Sequence, residues 1–183
     1  MKNDILIIIR TIWYLLKYQY ILRKAEFGKG LRVSSRLKIQ GPGKVFIGNY
    51  CHITSDPWGD DYVTIFTHQK KARIYIGDHV TIRATRFGSH LEIKIGDKAV
   101  IESASIYDSD FHNVDATKRD ENFNEKDRQV DIGSGAYIGI ESLCSKGTVI
   151  GKGAVLLPAS VIGTKMIQDD SIAAGLPARA VKE

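Results

Sequence analysis

Two cysteines in 183 residues, Cys51 and Cys144, are too few for a disulfide-stapled fold or a thiolate metal cluster. Zinc-finger spacing, an RNA-binding signature and a long basic run are all missing, so nucleic acid is not an expected partner. The formal net charge of +5 is mild and suits an anionic small ligand or a membrane surface. Residues 1–24 lack a convincing small-residue cleavage site, so no cleavable signal peptide is expected and the cytoplasm is the expected compartment. The one strongly apolar stretch, residues 5–22, is interrupted by Arg10 and Lys17, so a bilayer span is not expected there either.

Hydrophobic residues make up 43% of the chain, enough for a buried core. Their arrangement is the strongest signal. From Ile132 in steps of six come Ile132, Ile138, Cys144, Ile150, Leu156 and Ile162, all apolar. From Ala136 the same step meets Ala136, Ser142, Thr148, Ala154 and Ser160, all small. Gly133, Gly139, Gly151 and Gly163 directly follow four of the bulky residues. Neither the helical period near 3.6 nor the strand period of 2 produces this pattern. A triangular coil does, in which each unit is a short strand and a turn and three units close one coil. Bulky residues then point inward and stack on their equivalents one coil away, small residues fill the narrower inward sites, and glycine eases the corners. Both cysteines fall on repeat positions, which makes them packed thiols rather than a bridge or a nucleophile. The expected fold is all-β, a parallel β-solenoid.

Elsewhere the rhythm comes and goes. Residues 1–26 read as an N-terminal amphipathic helix, with Asn3, Arg10, Lys17 and Lys24 on one narrow stripe. It is expected to cap the open first coil or meet a sister subunit. It also suits peripheral membrane contact through residues 5–22, at the inner face of the cell membrane. Residues 27–183 read as the coil domain, with loop excursions near 54–73 and 113–129.

This pattern resembles the hexapeptide-repeat acyltransferases, and the resemblance is strongest over residues 95–181. It implies a left-handed parallel β-helix, generally a homotrimer, that uses acetyl-CoA. The segment Asp108-Ser-Asp110-Phe-His112, followed by a loop and then regular coils, is similar to the segment that carries the catalytic histidine in sugar O-acetyltransferases. His112 is therefore the expected general base, since a histidine near its ordinary pKa can take the hydroxyl proton. Asp110, or Asp108, is the expected orienting carboxylate. The resemblance further implies acetyl-CoA contacts at Lys146, Gly147, Ala154, Ser160, Lys165, Pro177, Ala178 and Arg179, through small corners and cations for the phosphates.

His52, His68, His79 and His90 lack such a context, and His79 reads as a solvated corner residue. No H-x-x-x-x-H pair occurs, so the zinc enzymes of this superfold are not matched and no metal is expected. Many members carry Trp-Ile-Gly where this chain has Tyr137-Ile138-Gly139, and galactoside-modifying members carry an asparagine near Ser103 or Ala104. The expected acceptor is a hydroxyl of a sugar or glycan, in a surface polysaccharide or its precursor. The alternatives are N-acetylation of a nucleotide-linked amino sugar and a non-catalytic scaffold.

Overall fold

A computed structural model describes residues 2–55, 62–110, 117 and 128–181. The chain begins with helix α1 (Lys2–Leu15), continued by a wider π-helical turn (Leu16–Ile21). It then winds into coils of three strands each. The first is β1 (Ala25–Phe27), β2 (Arg32–Val33) and β3 (Leu37–Gln40), and the second β4 (Lys44–Ile47), β5 (His52–Thr54) and β6 (Val63–Thr67). The third is β7 (Arg73–Ile76), β8 (Thr81–Arg83) and β9 (Arg86–Ser89). The fourth is β10 (Glu92–Ile95), β11 (Val100–Glu102) and β12 (Ser105–Tyr107). The fifth is β13 (Val130–Ile132), β14 (Tyr137–Ile138) and β15 (Leu143–Cys144), and the sixth β16 (Val149–Ile150), β17 (Val155–Leu156) and β18 (Val161–Ile162). A last coil holds β19 (Met166–Ile167) and β20 (Ile172–Gly175), onto which β21 (Ala178–Ala180) folds back antiparallel.

Every third strand pairs in parallel, giving three sheets that form the faces of a prism: sheet A from β1, sheet B from β2 and sheet C from β3. The registers carry the inward residues into columns. In sheet A these are Ile47, Ile76, Ile95, Ile132, Ile150 and Ile167. In sheet B they are Val33, Ile53, Ile82, Ile101, Ile138 and Leu156. In sheet C they are Ile39, Ile65, Phe87, Ile106, Cys144 and Ile162. All are buried, each worth roughly 1.5–3 kcal/mol, and only a neighbouring coil can cover them. The small residues Ala136, Ser142, Thr148, Ala154 and Ser160 are buried beside them.

Glycine acts by close approach. A Cβ on Gly133 would lie 2.6 Å from the backbone carbon of Gly151 one coil on. The left-handed backbone at the A–B corner is instead taken mostly by other residues, among them Tyr50, His79 and Lys98. His79 does stand at that corner, stacked on Tyr50 with ring centroids 5.1 Å apart.

Two boundaries differ from the sequence reading. Ala25 and Glu26 already belong to β1 rather than to the helix. Residues 63–67, expected within a loop excursion over 54–73, form β6 and pair with both β3 and β9. Ile39 and Ile65 are 26 positions apart and Ile65 and Phe87 are 22 apart, so the inward alternation of Val63, Ile65 and Thr67 is shifted off the step of six.

The helix caps the first coil through all three of its strands. Thr11 accepts from Val33 N at 2.9 Å, Gln19 accepts from Phe27 N at 3.1 Å, and the buried Tyr18 hydroxyl donates to Leu37 O at 3.1 Å. Arg10 donates to Ser34 O. These bonds satisfy backbone groups that an open end coil would leave exposed.

A candidate active site along one edge of the prism

Where sheet C hands over to sheet A, successive coils place chemistry-bearing residues one above the next. His68 N donates to Ser89 O at 2.8 Å, Arg128 N to Asp108 O at 3.2 Å, Gly147 N to Arg128 O at 3.2 Å, and Thr164 N to Lys146 O at 3.0 Å. The edge therefore runs from His68 past His90, Asp108, Asp110 and Lys146 to Lys165.

The two aspartates expected as orienting groups have different surroundings. Asp108 is closed off from solvent. Its Oδ2 accepts from the Ser89 hydroxyl at 2.7 Å and from Leu91 N at 2.9 Å, and its Oδ1 accepts from His90 N at 2.7 Å. Charge-assisted bonds to all these donors make Asp108 the clamp of the neighbouring coil's corner. Asp110 lies in the open and forms an ion pair with Lys146. With side chains 20% and 32% exposed, the two charges are still partly screened by solvent, so the pair contributes modestly to stability and sets where both charges stand. His112 lies outside the described residues, two positions beyond Asp110.

Beside Asp110, the face of sheet C carries a cleft of about 520 Å³ lined by Phe66, His68, Arg86, Tyr107, Asp110 and Ser145, among others. The His68 ring meets Phe66 edge-on at 4.4 Å and His90 at 4.4 Å. A second cleft of about 510 Å³ shares Arg86, Tyr107 and Leu143 with it and reaches Ser103 and Ala104. His68 and His90 were set aside in the sequence for lack of context, and the structure brings both to this edge. No simple spacing announces them, because the corner insertions differ in length from coil to coil.

The residues expected to meet acetyl-CoA fall into three groups. Lys146 and Gly147 are on the edge itself. Lys165, Ala178 and Arg179 line a cleft of about 380 Å³ at the C-terminal end, with Gln168 and Ser171. Ala154 and Ser160 turn their side chains into the core, so only their backbone can reach a ligand. Ser160 Oγ accepts from Gly175 N at 3.1 Å and ties the closing hairpin to the coil before it. Pro177 stands exposed in that hairpin's turn.

Other groups lie elsewhere. Tyr137 is on sheet B, where its hydroxyl donates to Glu102 at 2.7 Å, and Glu102 pairs with Arg83 at 2.6 Å. The bond to Glu102, with burial, holds the phenol above its usual range. His52, also on sheet B, is held below the ordinary histidine value by burial and by Arg32 and Arg83. Burial pushes the Cys51 thiol up, and pushes Cys144 up to about 12. Among the described residues, no three of His, Cys, Asp or Glu are grouped to hold a metal ion.

No family profile matches the chain. A probable acetyltransferase of Mycobacterium tuberculosis is 30% identical over 186 aligned positions, covering 94% of this chain. The chain spans 58% of that relative's length. Among solved structures, a variant of AntD, an N-acyltransferase from Bacillus cereus bound to dTDP and coenzyme A, superposes with a TM-score of 0.70. It is 25% identical, over 92% of this chain and 87% of AntD. A second AntD variant, bound to dTDP-4-amino-4,6-dideoxyglucose and coenzyme A, is 25% identical with a TM-score of 0.66, over 86% of this chain and 82% of that one. A hexapeptide-repeat acetyltransferase from Vibrio cholerae, complexed with acetyl-CoA, shares the fold at 24% identity and a TM-score of 0.54, over 72% of this chain and 68% of its own.

Proposed function

The chain belongs to the hexapeptide-repeat acyltransferase superfamily, and from that premise we propose that it transfers an acetyl group from coenzyme A to a sugar hydroxyl. The observation that carries this reading is the ion pair of Asp110 and Lys146 at the mouth of the sheet C cleft, two residues before His112. His112 takes the acceptor proton as oxygen attacks the thioester carbon. The C–O bond forms, the C–S bond breaks, and the proton passes from His112 to the departing sulfur. Asp110 orients the imidazole, and backbone N–H groups stabilise the oxyanion. With both thiols buried and Cys144 far from ionising at neutral pH, the transfer is direct.

Acetyl-CoA is read along the edge toward the C-terminal cleft, whose charged lining residues, Lys165 and Arg179, are both cations suited to phosphates. The acceptor is read in the sheet C cleft, where Phe66 and Tyr107 offer apolar faces to a sugar ring and Arg86 a partner for an anion. A homotrimer would place that face in a crevice between neighbouring prisms.

A second reading is N-acylation of a nucleotide-linked amino sugar. It is favoured by the likeness to AntD, which binds a dTDP-amino sugar and of which 87% is matched, leaving little of AntD for a separate nucleotide-binding domain. One assay separates the two: coenzyme A release from acetyl-CoA with glycan hydroxyl acceptors and nucleotide-linked amino sugars in competition. Preferred turnover of the amine overturns the hydroxyl reading. A chain that acetyl-CoA does not protect against heat is a scaffold, and both readings fall.

A further inference from the structure

The capping helix turns one side to the coil and leaves the other uncovered. Thr11 and Tyr18 are buried against the first coil, whereas Ile5, Leu6, Ile8, Ile9, Ile12, Trp13, Leu16, Tyr20, Ile21 and Leu22 are each between 44% and 67% exposed. Large exposed apolar residues elsewhere in the described chain are spread over the coils; here ten fall within 18 consecutive positions. A contiguous apolar face of this kind marks a contact surface. Between the helix and the coil, a groove of about 380 Å³ joins Ile7 and Leu31 to Ile8 and Ile12, with Asp4 and Arg32 among its lining.

Charge identifies the partner. Residues 1–38 contain nine lysines and arginines against Asp4 and Glu26. Of the chain's 26 basic and 21 acidic residues, that leaves 17 basic and 19 acidic for all the rest. The net positive charge of the whole molecule is thus gathered at the helix end of the prism. Arg23, Lys29, Arg32, Arg36 and Lys38 are exposed there. We propose that this end lies on the surface of a bilayer containing anionic lipid, with the uncovered helix face in the headgroup boundary and the surrounding lysines and arginines against lipid phosphates. Trp13 and Tyr20, both more than half exposed, suit that boundary. Among the described residues no helix is long and apolar enough to cross a membrane, so the contact is in-plane. A second copy of the chain fits worse, because two ends of net charge +7 would have to meet face to face.

The test is sedimentation of the full chain with vesicles of phosphatidylcholine alone and of phosphatidylcholine mixed with phosphatidylglycerol. The chain should pellet with the mixed vesicles and be released by salt. Lys17→Gln and Arg23→Gln should each weaken partition about fivefold. Ile9→Ser and Trp13→Ser should each weaken it about tenfold or more, with unfolding midpoints unchanged because both side chains already face solvent. Equal binding to both vesicle types overturns the proposal, as does failure to pellet with mixed vesicles at low salt. It is also overturned if the Ile9 and Trp13 variants keep vesicle binding but lose self-association in the ultracentrifuge. None of these readouts requires turnover.

Discussion

The Ser89 hydroxyl donates to Asp108 Oδ2 at 2.7 Å from one coil to the next, and neither residue is exposed to solvent. Two residues on, Asp110 stands in the open against Lys146. The two aspartates of one short segment therefore do different work: one clamps the neighbouring coil's corner at Ser89, His90 and Leu91, and the other faces the cleft.

The first prediction separates them. Asp108→Asn replaces an acceptor of three hydrogen bonds with an amide that turns one side's donors toward donors. It should cost about 1–3 kcal/mol in urea unfolding. Asp110→Asn should change stability by no more than about 0.5–1 kcal/mol and act on turnover instead. Equal destabilisation by both would show that Asp110 is a further part of the corner clamp rather than of the site.

Base and donor contacts should also separate. His112→Ala is expected to lower kcat by about 10²–10⁴ while acetyl-CoA still raises the unfolding temperature. Lys165→Ala and Arg179→Ala should each weaken acetyl-CoA binding by about tenfold, the loss of one charge-assisted contact, with kcat at saturation nearly kept. Titration calorimetry for binding and thiol release for turnover give the two axes. A His112 variant with full turnover would remove the base assignment.

Much of the fold was legible because the last coils carry no insertions. Ile132 and Ile150 are 18 positions apart and lie in register, as do Cys144 and Ile162. Farther toward the N-terminus the same columns persist, and Ile47 to Ile53, Ile76 to Ile82 and Ile95 to Ile101 keep the step of six. Changes of spacing before and after sheet C break it, which is how β6 was hidden. Of the candidate site, a local motif singled out Asp108 and Asp110, and the structure sets only Asp110 on the cleft; His112 lies outside the described residues. His68 and His90 reach the edge through coil closure, which local sequence does not encode. The glycines after bulky residues were picked out by position, but what they relieve is contact with the next coil rather than a left-handed backbone, as Gly133 shows. Ala154 and Ser160 were read for their small size at corners, and the same smallness serves the core.

The thiols offer a check on direct transfer. Cys144 is fully buried in the sheet C column with its pKa pushed up to about 12, and Cys51 is buried with its own pKa raised. A thiol disulfide reagent at neutral pH should modify neither in the native protein and both after unfolding. Cys144→Ala should leave an active enzyme of lower stability. Loss of activity in a folded Cys144→Ala protein would reopen an acyl-thiol intermediate.

Acid should find a weak point on sheet B. His52 is partly buried, its Nε2 is 3.0 Å from Ser34 Oγ, and burial first, then Arg32 and Arg83, lowers its pKa. The unfolded chain gains the imidazole proton as pH falls through about 6.5, whereas the folded chain gains it only at lower pH. Stability from this site is therefore whole above about pH 6.5 and is lost as pH falls toward the folded value, because the unfolded state there binds more protons. His52→Gln keeps a polar partner for Ser34 and removes the titration. Urea midpoints at about pH 7 and about pH 5 should differ less in the variant than in the parent chain. The same drop in both would show that the acid sensitivity does not come from His52.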